Sequence, residues 1–128
     1  MPNDKLADKQ PKILVIDDNE ANRQILENLL QKEGLLPLLA EDGKSGLAAA
    51  RENLPDLVLL DIFMPGEDGF KVLEEFQKDS RLKKIPVIIF TLLEREESRK
   101  KALEMGAKDY ITKPFDMRDT VQRILRYL

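Results

Sequence analysis

Leu57-Val58-Leu59-Leu60-Asp61 is a short apolar run that stops on a carboxylate, and the same pattern recurs along the chain. Ile13-Leu14-Val15-Ile16 stops at Asp17-Asp18, and Val87-Ile88-Ile89-Phe90 stops at Thr91. Asp109-Tyr110-Ile111 leads through Thr112 to Lys113-Pro114. Runs this short and this apolar read as strands buried on both faces. If they lie parallel in one sheet, every polar group that ends them falls on the same carboxyl edge. Open α/β sheets bind their ligands at that edge.

Working outward, strands are expected over about 12–17, 35–39, 56–60, 85–90 and 108–111, with helical patterns between them. Ile25, Leu26, Leu29 and Leu30 form a stripe over 20–33, Leu47, Ala50 and Leu54 a second, and Phe70, Leu73 and Phe76 a third. Val121, Ile124, Leu125 and Leu128 recur at i, i+3, i+4, i+7. Residues 94–105 are helix-prone with a thin apolar face, so that helix should be held weakly. Five strands alternating with five helices imply right-handed crossovers and a parallel sheet covered on both faces, a three-layer doubly wound α/β fold. Pro37 marks its strand as an edge. Residues 1–11 read as a flexible polar tail and 12–128 as one domain.

The bulk composition removes whole classes of function. The chain has 128 residues and a net charge of −3, so no broad surface attracts nucleic acid. No stretch reaches the length of a membrane span, and residues 1–11 lack the apolar core of a signal peptide; the cytoplasm is the expected compartment. Cysteine and histidine are both absent. That excludes disulfides, thiolate or histidine metal sites and Ser-His-Asp chemistry. Carboxylates, hydroxyls, lysine and a bound metal remain.

Asp17, Asp18 and Asp61 end two strands that should be neighbours. At a separation of about 5 Å each ionised pair repels by roughly 3 kcal/mol at an effective dielectric near 20. One lysine cannot offset three such pairs. A divalent cation can, and an all-oxygen donor set favours magnesium before calcium. Asp61, followed by Ile62-Phe63-Met64-Pro65-Gly66-Glu67-Asp68-Gly69, is the uncrowded carboxylate and can serve as a nucleophile that becomes an aspartyl phosphate. Thr91 offers a hydroxyl donor and Lys113 a cation for phosphoryl oxygens. Each position also has a bland reading: Asp17 or Asp18 as a helix N-cap, Asp61 as a turn former, Thr91 as a cap, Lys113-Pro114 as a loop. Only the common edge and the charge complementarity favour a joint role. Turns account for Gly66 and Gly69.

At these residues the chain resembles the receiver domain of two-component response regulators. The motifs are Ile-Leu-Val-Ile-Asp17-Asp18-Asn, Leu-Leu-Asp61-Ile-Phe-Met-Pro-Gly-Glu-Asp-Gly, Phe-Thr91, and Gly-Ala-Lys-Asp-Tyr110-Ile-Thr-Lys113-Pro-Phe. The resemblance implies a flavodoxin-like five-stranded sheet in the order 2-1-3-4-5. It implies that Asp61 accepts a phosphoryl group from a phosphohistidine on a sensor histidine kinase or histidine phosphotransfer protein. Asp18, Asp61 and the Phe63 backbone carbonyl would then ligate Mg²⁺ directly, with Asp17 acting through water. Thr91 and Lys113 would bind the phosphoryl oxygens, the Lys113-Pro114 bond would be cis, and Tyr110 would turn inward as Thr91 moves. A downstream protein or domain, or a second copy of the chain, would read the surface 94–128.

The chain departs from the family pattern where Leu92 stands in place of a small residue. Phe63 and Leu93 are expected to flank the phosphate and exclude the attacking water. The chain would turn over no external substrate. Its rivals are a magnesium-dependent aspartyl-phosphate phosphohydrolase, a flavodoxin-like cofactor binder and a pseudo-receiver that binds partners without phosphorylation. The first lacks a carboxylate two residues beyond Asp61, where Phe63 stands. The second leaves the acidic cluster unexplained, and the third is disfavoured because all five polar positions are filled.

Overall fold

The computed structural model describes residues 10–128; the expected tail lies outside the described residues up to residue 9. Strands β1 (Lys12–Ile16), β2 (Leu36–Ala40), β3 (Leu57–Leu60), β6 (Val87–Thr91) and β7 (Asp109–Thr112) form one sheet. Its order is β2-β1-β3-β6-β7 and every pairing is parallel. This is the expected 2-1-3-4-5 arrangement, with β6 and β7 as its fourth and fifth members. Two further short strands, β4 (Phe63–Met64) and β5 (Glu67–Asp68), form an antiparallel hairpin. The apolar-run pattern does not mark them, because two-residue strands carry no period.

Helices α1 (Glu20–Lys32), α2 (Gly43–Asn53), α3 (Gly69–Lys78), α4 (Glu96–Glu104) and α5 (Met117–Arg126) cover both faces. Side chains alternate across each strand, which divides the core in two. Leu14, Ile16, Val58, Leu60, Val87 and Ile89 face Ala50 of α2, Val72, Leu73 and Phe76 of α3 and Ala102 of α4. Ile13, Val15, Leu57, Leu59, Ile88 and Phe90 face Leu26 and Leu30 of α1 and Ile124 of α5. Each such aliphatic or aromatic side chain contributes about 1.5–3 kcal/mol by leaving water. The uninterrupted apolar runs follow from this double burial. Strand β2 lies at the edge, and its proline is tolerated there because one side of the strand has no ladder to complete.

Three helix stripes differ from expectation. In α1 Leu26 and Leu30 are buried, but Ile25 is exposed. Leu54 is outside α2: it is the C-cap in a left-handed conformation (φ 46°) and is exposed. In α5 the buried face is Thr120 and Ile124, with Tyr127 packed beside them, while Leu125 and Leu128 are exposed. The stripe that packs is therefore offset from the most hydrophobic one, because Thr120 and Tyr127 were not counted as core. Helix α4 is as thinly held as its sequence suggests, burying only Ala102 and starting at Arg95 without a side-chain cap.

Candidate functional site

The sheet's hydrogen bonds run past the last paired residues and draw the strand ends together. Asp17 N–H donates to the Ala40 carbonyl (3.1 Å), Asp61 N–H to Ile16 (3.0 Å), and Lys113 N–H to Thr91 (2.7 Å). Asp17, Asp61, Thr91 and Lys113 are all buried at that edge, and Asp18 is exposed beside them. The carboxylates of Asp17, Asp18 and Asp61 each place an oxygen within 4.8 Å of the others.

The same local turn is used three times. Asp17 Oδ1 accepts from Asn19 N–H (2.9 Å), Asp61 Oδ1 from Phe63 N–H (2.8 Å), and Thr91 Oγ1 from Leu93 N–H (3.4 Å). Each polar side chain thus folds the chain out of its strand. The N-cap of α1 is Asn19, whose side chain accepts from Asn22 N–H at 2.9 Å. Asp17 and Asp18 are therefore free of the capping role that was the ordinary explanation for them.

Lys113 Nζ donates to Asp17 Oδ2 (2.7 Å) and Asp61 Oδ2 (2.9 Å) and lies 5.2 Å from the Phe90 ring centroid. Burial works against its charge, but the hydrogen bonds and charges of Asp17 and Asp61 outweigh that and raise its pKa above the ordinary lysine value. Burial raises the Asp61 pKa, against the opposing pull of Lys113 and the Phe63 N–H. Both groups hold protons more tightly than usual. Burial does this for Asp61, and the two carboxylates do it for Lys113. Lys113 bridges two of the three carboxylates and leaves unused lone pairs on all of them. The donor set is all oxygen, its charge is uncompensated, and it fits a hard divalent cation.

Tyr110 is buried, and its hydroxyl donates to the Leu93 carbonyl. Leu93 is thereby gripped from two sides, by Thr91 through its N–H and by Tyr110 through its carbonyl. Phe63 and Leu92 are exposed, at 58% and 61%. Leu93 is half-buried and packs partly against the core. The Lys113–Pro114 peptide is cis.

Three contacts were not read from the sequence. Arg23 Nη1 donates to the Asp17 carbonyl at 2.7 Å, bracing the first strand end from α1. Glu67 Oε1 accepts from Gly43 N–H at 2.7 Å, tying the hairpin to α2. Gly69 is required by space rather than by a turn, since a Cβ there would overlap the Ile62 backbone. The Glu67 bond joins elements 24 residues apart and the Gly69 contact sets two backbones together, while Arg23 reaches a backbone carbonyl, which carries no mark in a pattern of residue types.

Known proteins share this sequence pattern and fold. The family model described as response regulator receiver domain matches residues 13–125. Response regulator PleD of Caulobacter vibrioides is 45% identical over 105 residues, 82% of this chain and 23% of that protein. Protein PilH of Pseudomonas aeruginosa is 42% identical over 105 residues, 82% of this chain and 87% of that protein. The phosphate regulon transcriptional regulatory protein PhoB of Escherichia coli is 39% identical over 113 residues, 88% of this chain and 49% of that protein. The chain thus spans less than half of PleD and PhoB and most of PilH. Among solved structures, the Vibrio cholerae chemotaxis protein CheY4 superposes with a TM-score of 0.87 at 28% identity, covering 93% of this chain and 99% of that one.

Proposed function

The chain belongs to the response regulator receiver domain family, the signalling switches of two-component systems, and from that premise we propose that Asp61 is its phosphoacceptor. The observation that carries this reading is the gathering of Asp17, Asp18, Asp61, Thr91 and Lys113 at one edge, with Lys113 on the Asp61 carboxylate. A carboxylate oxygen of Asp61 attacks the phosphorus of a phosphohistidine on a sensor kinase or phosphotransfer protein. A P–O bond forms, the P–N bond breaks, and the imidazole leaves with the electron pair and takes up a proton. Asp18, Asp61 and the Phe63 carbonyl would hold Mg²⁺, with Asp17 acting through water; when bound, the ion neutralises charge that builds on the phosphoryl oxygens. Lys113 carries a second positive charge to those oxygens, and the Thr91 hydroxyl donates a hydrogen bond to them.

The added phosphoryl brings up to about two negative charges. Thr91 is drawn toward it and lets go of the Leu93 N–H, which loosens the segment that also anchors Tyr110. Tyr110 is already inward and buried, so loosening Leu93 frees its hydroxyl's partner and lets α4, which has little packing to resist, move. The surface 94–128 is where a downstream protein or domain reads the change. The chemistry is confined to this chain's own phosphorylation and dephosphorylation. No helix among the described residues is long and apolar enough to cross a membrane, and a cytoplasmic setting suits kinase access.

Intact mass after treatment with acetyl phosphate and Mg²⁺ tests the reading. The native chain should gain one phosphoryl group and Asp61→Asn none. No gain in the native chain, or an equal gain in the variant, sinks it. Phe63→Asn should shorten the phosphorylated lifetime by admitting water; an unchanged decay rate counts against that shielding role.

A further inference from the structure

Glu67 takes no part in the phosphoryl chemistry above, yet it ties the Asp61 loop to a different element. Its Oε1 accepts from the N–H of Gly43, the buried first residue of α2, at 2.7 Å. The amides of a helix's first turn have no partner within the helix. In α2 the Asp42 side chain satisfies Ser45 N–H at 2.7 Å, and the first turn carries no acidic residue of its own. Glu67 fills both gaps from 24 residues away: it satisfies Gly43 and places a negative charge at the positive end of the helix dipole. The fit is mutual, because a Cβ on residue 43 would overlap Glu67 Oε1 and the Val72 side chain.

The consequence lies on the other strand of the hairpin. Glu67 pairs with Met64, and Phe63 pairs with Asp68. Met64 is anchored in the core, and Phe63 N–H is on Asp61 Oδ1 at 2.8 Å. We propose that Glu67 is a positioning residue for the metal site: by tethering β5 to the start of α2, it holds the Phe63 backbone against the acidic cluster. The proposal rests on the reading of the Phe63 carbonyl as a metal ligand.

Calorimetric titration with Mg²⁺ alone tests it, alongside hydrogen exchange at the Gly43 amide, both at a temperature where circular dichroism shows each protein folded. Glu67→Ala should weaken Mg²⁺ binding about tenfold, as loss of an outer-shell partner does, and speed exchange at Gly43. Glu67→Gln retains an acceptor oxygen and should stay within about threefold of the native chain, a recovery that depends on the bond rather than on general stability. If Glu67→Ala does not fold, Glu67→Leu makes the same comparison, because it keeps the side chain's bulk and removes the acceptor oxygen. A native chain that binds no Mg²⁺ overturns the metal reading and this proposal with it. A native chain that binds, with Glu67→Ala (or Glu67→Leu in its place) binding equally well, overturns this proposal alone.

Discussion

Lys113 lies between two buried carboxylates, 2.7 Å from Asp17 and 2.9 Å from Asp61, and the three residues cannot be treated as separate pairs. Burial raises the Asp61 pKa, so its ionisation costs the folded state. Stability linked to this group is full below the ordinary carboxylate range and is lost as pH rises through the raised folded value. Asp61→Asn should therefore raise the melting temperature of the metal-free protein near neutral pH, with the gain disappearing in acid. The substitution leaves Lys113 paired with Asp17, so no charge is orphaned. A variant that melts no higher than the native chain at neutral pH would show that burial does not control this group. Lys113→Ala is the opposite case: it strands two buried carboxylates and should cost about 3–5 kcal/mol in urea unfolding without Mg²⁺. The roles of Asp17 and Asp61 as candidates were legible because they interrupt apolar runs. Asn19 as the true cap was not, since Asp17, Asp18 and Asn19 are equally good capping residues in sequence.

At the scale of elements, the helices differ in how firmly they are fixed. Helices α1, α2, α3 and α5 each begin at an Asn or Asp that accepts an N–H from the first turn. Helix α4 begins at Arg95 with no such bond, and its Lys101 sits over the Phe70 ring at 4.3 Å. Arg95→Asp should supply the missing cap, worth about 1 kcal/mol, and slow amide exchange across 96–104. Unchanged exchange there would mean that α4 is limited by packing alone. Leu54 ends α2 in a left-handed conformation that suits glycine, so Leu54→Gly should stabilise the protein by about 1 kcal/mol in denaturant unfolding. Gly69→Ala forces a methyl into the Ile62 backbone and should cost about 1–3 kcal/mol. The 3.6-residue periodicity marked four helices and the helix-prone composition of 94–105 the fifth, but the period could not tell that Thr120 would be buried, Tyr127 partly so and Leu125 exposed. Packing partners decide that choice.

In the whole molecule, one arrangement serves both folding and signalling: parallel strands collect their carboxyl ends, and with them a charge surplus that the fold tolerates at a cost. A cation that binds only the folded chain should repay some of it. Mg²⁺ at about 100 times its dissociation constant should stabilise by about 2.7 kcal/mol, reversed by chelation and absent when Asp61 and Asp18 are both changed to Asn. Thermal melts with and without Mg²⁺ measure this directly, and identical melts would remove the metal from the account. The sequence by itself determined the layered fold, the central strands and the polar groups at their ends. It could do so because double burial forces unbroken apolar runs, and a run can end only where the chain meets a polar group. Only the tertiary structure decided how those ends are braced: Glu67 on Gly43, Arg23 on Asp17, Gly69 against Ile62 and Leu93 between Thr91 and Tyr110. Most of these contacts join residues far apart along the chain or set one backbone against another, and no local pattern of residue types encodes distance in space.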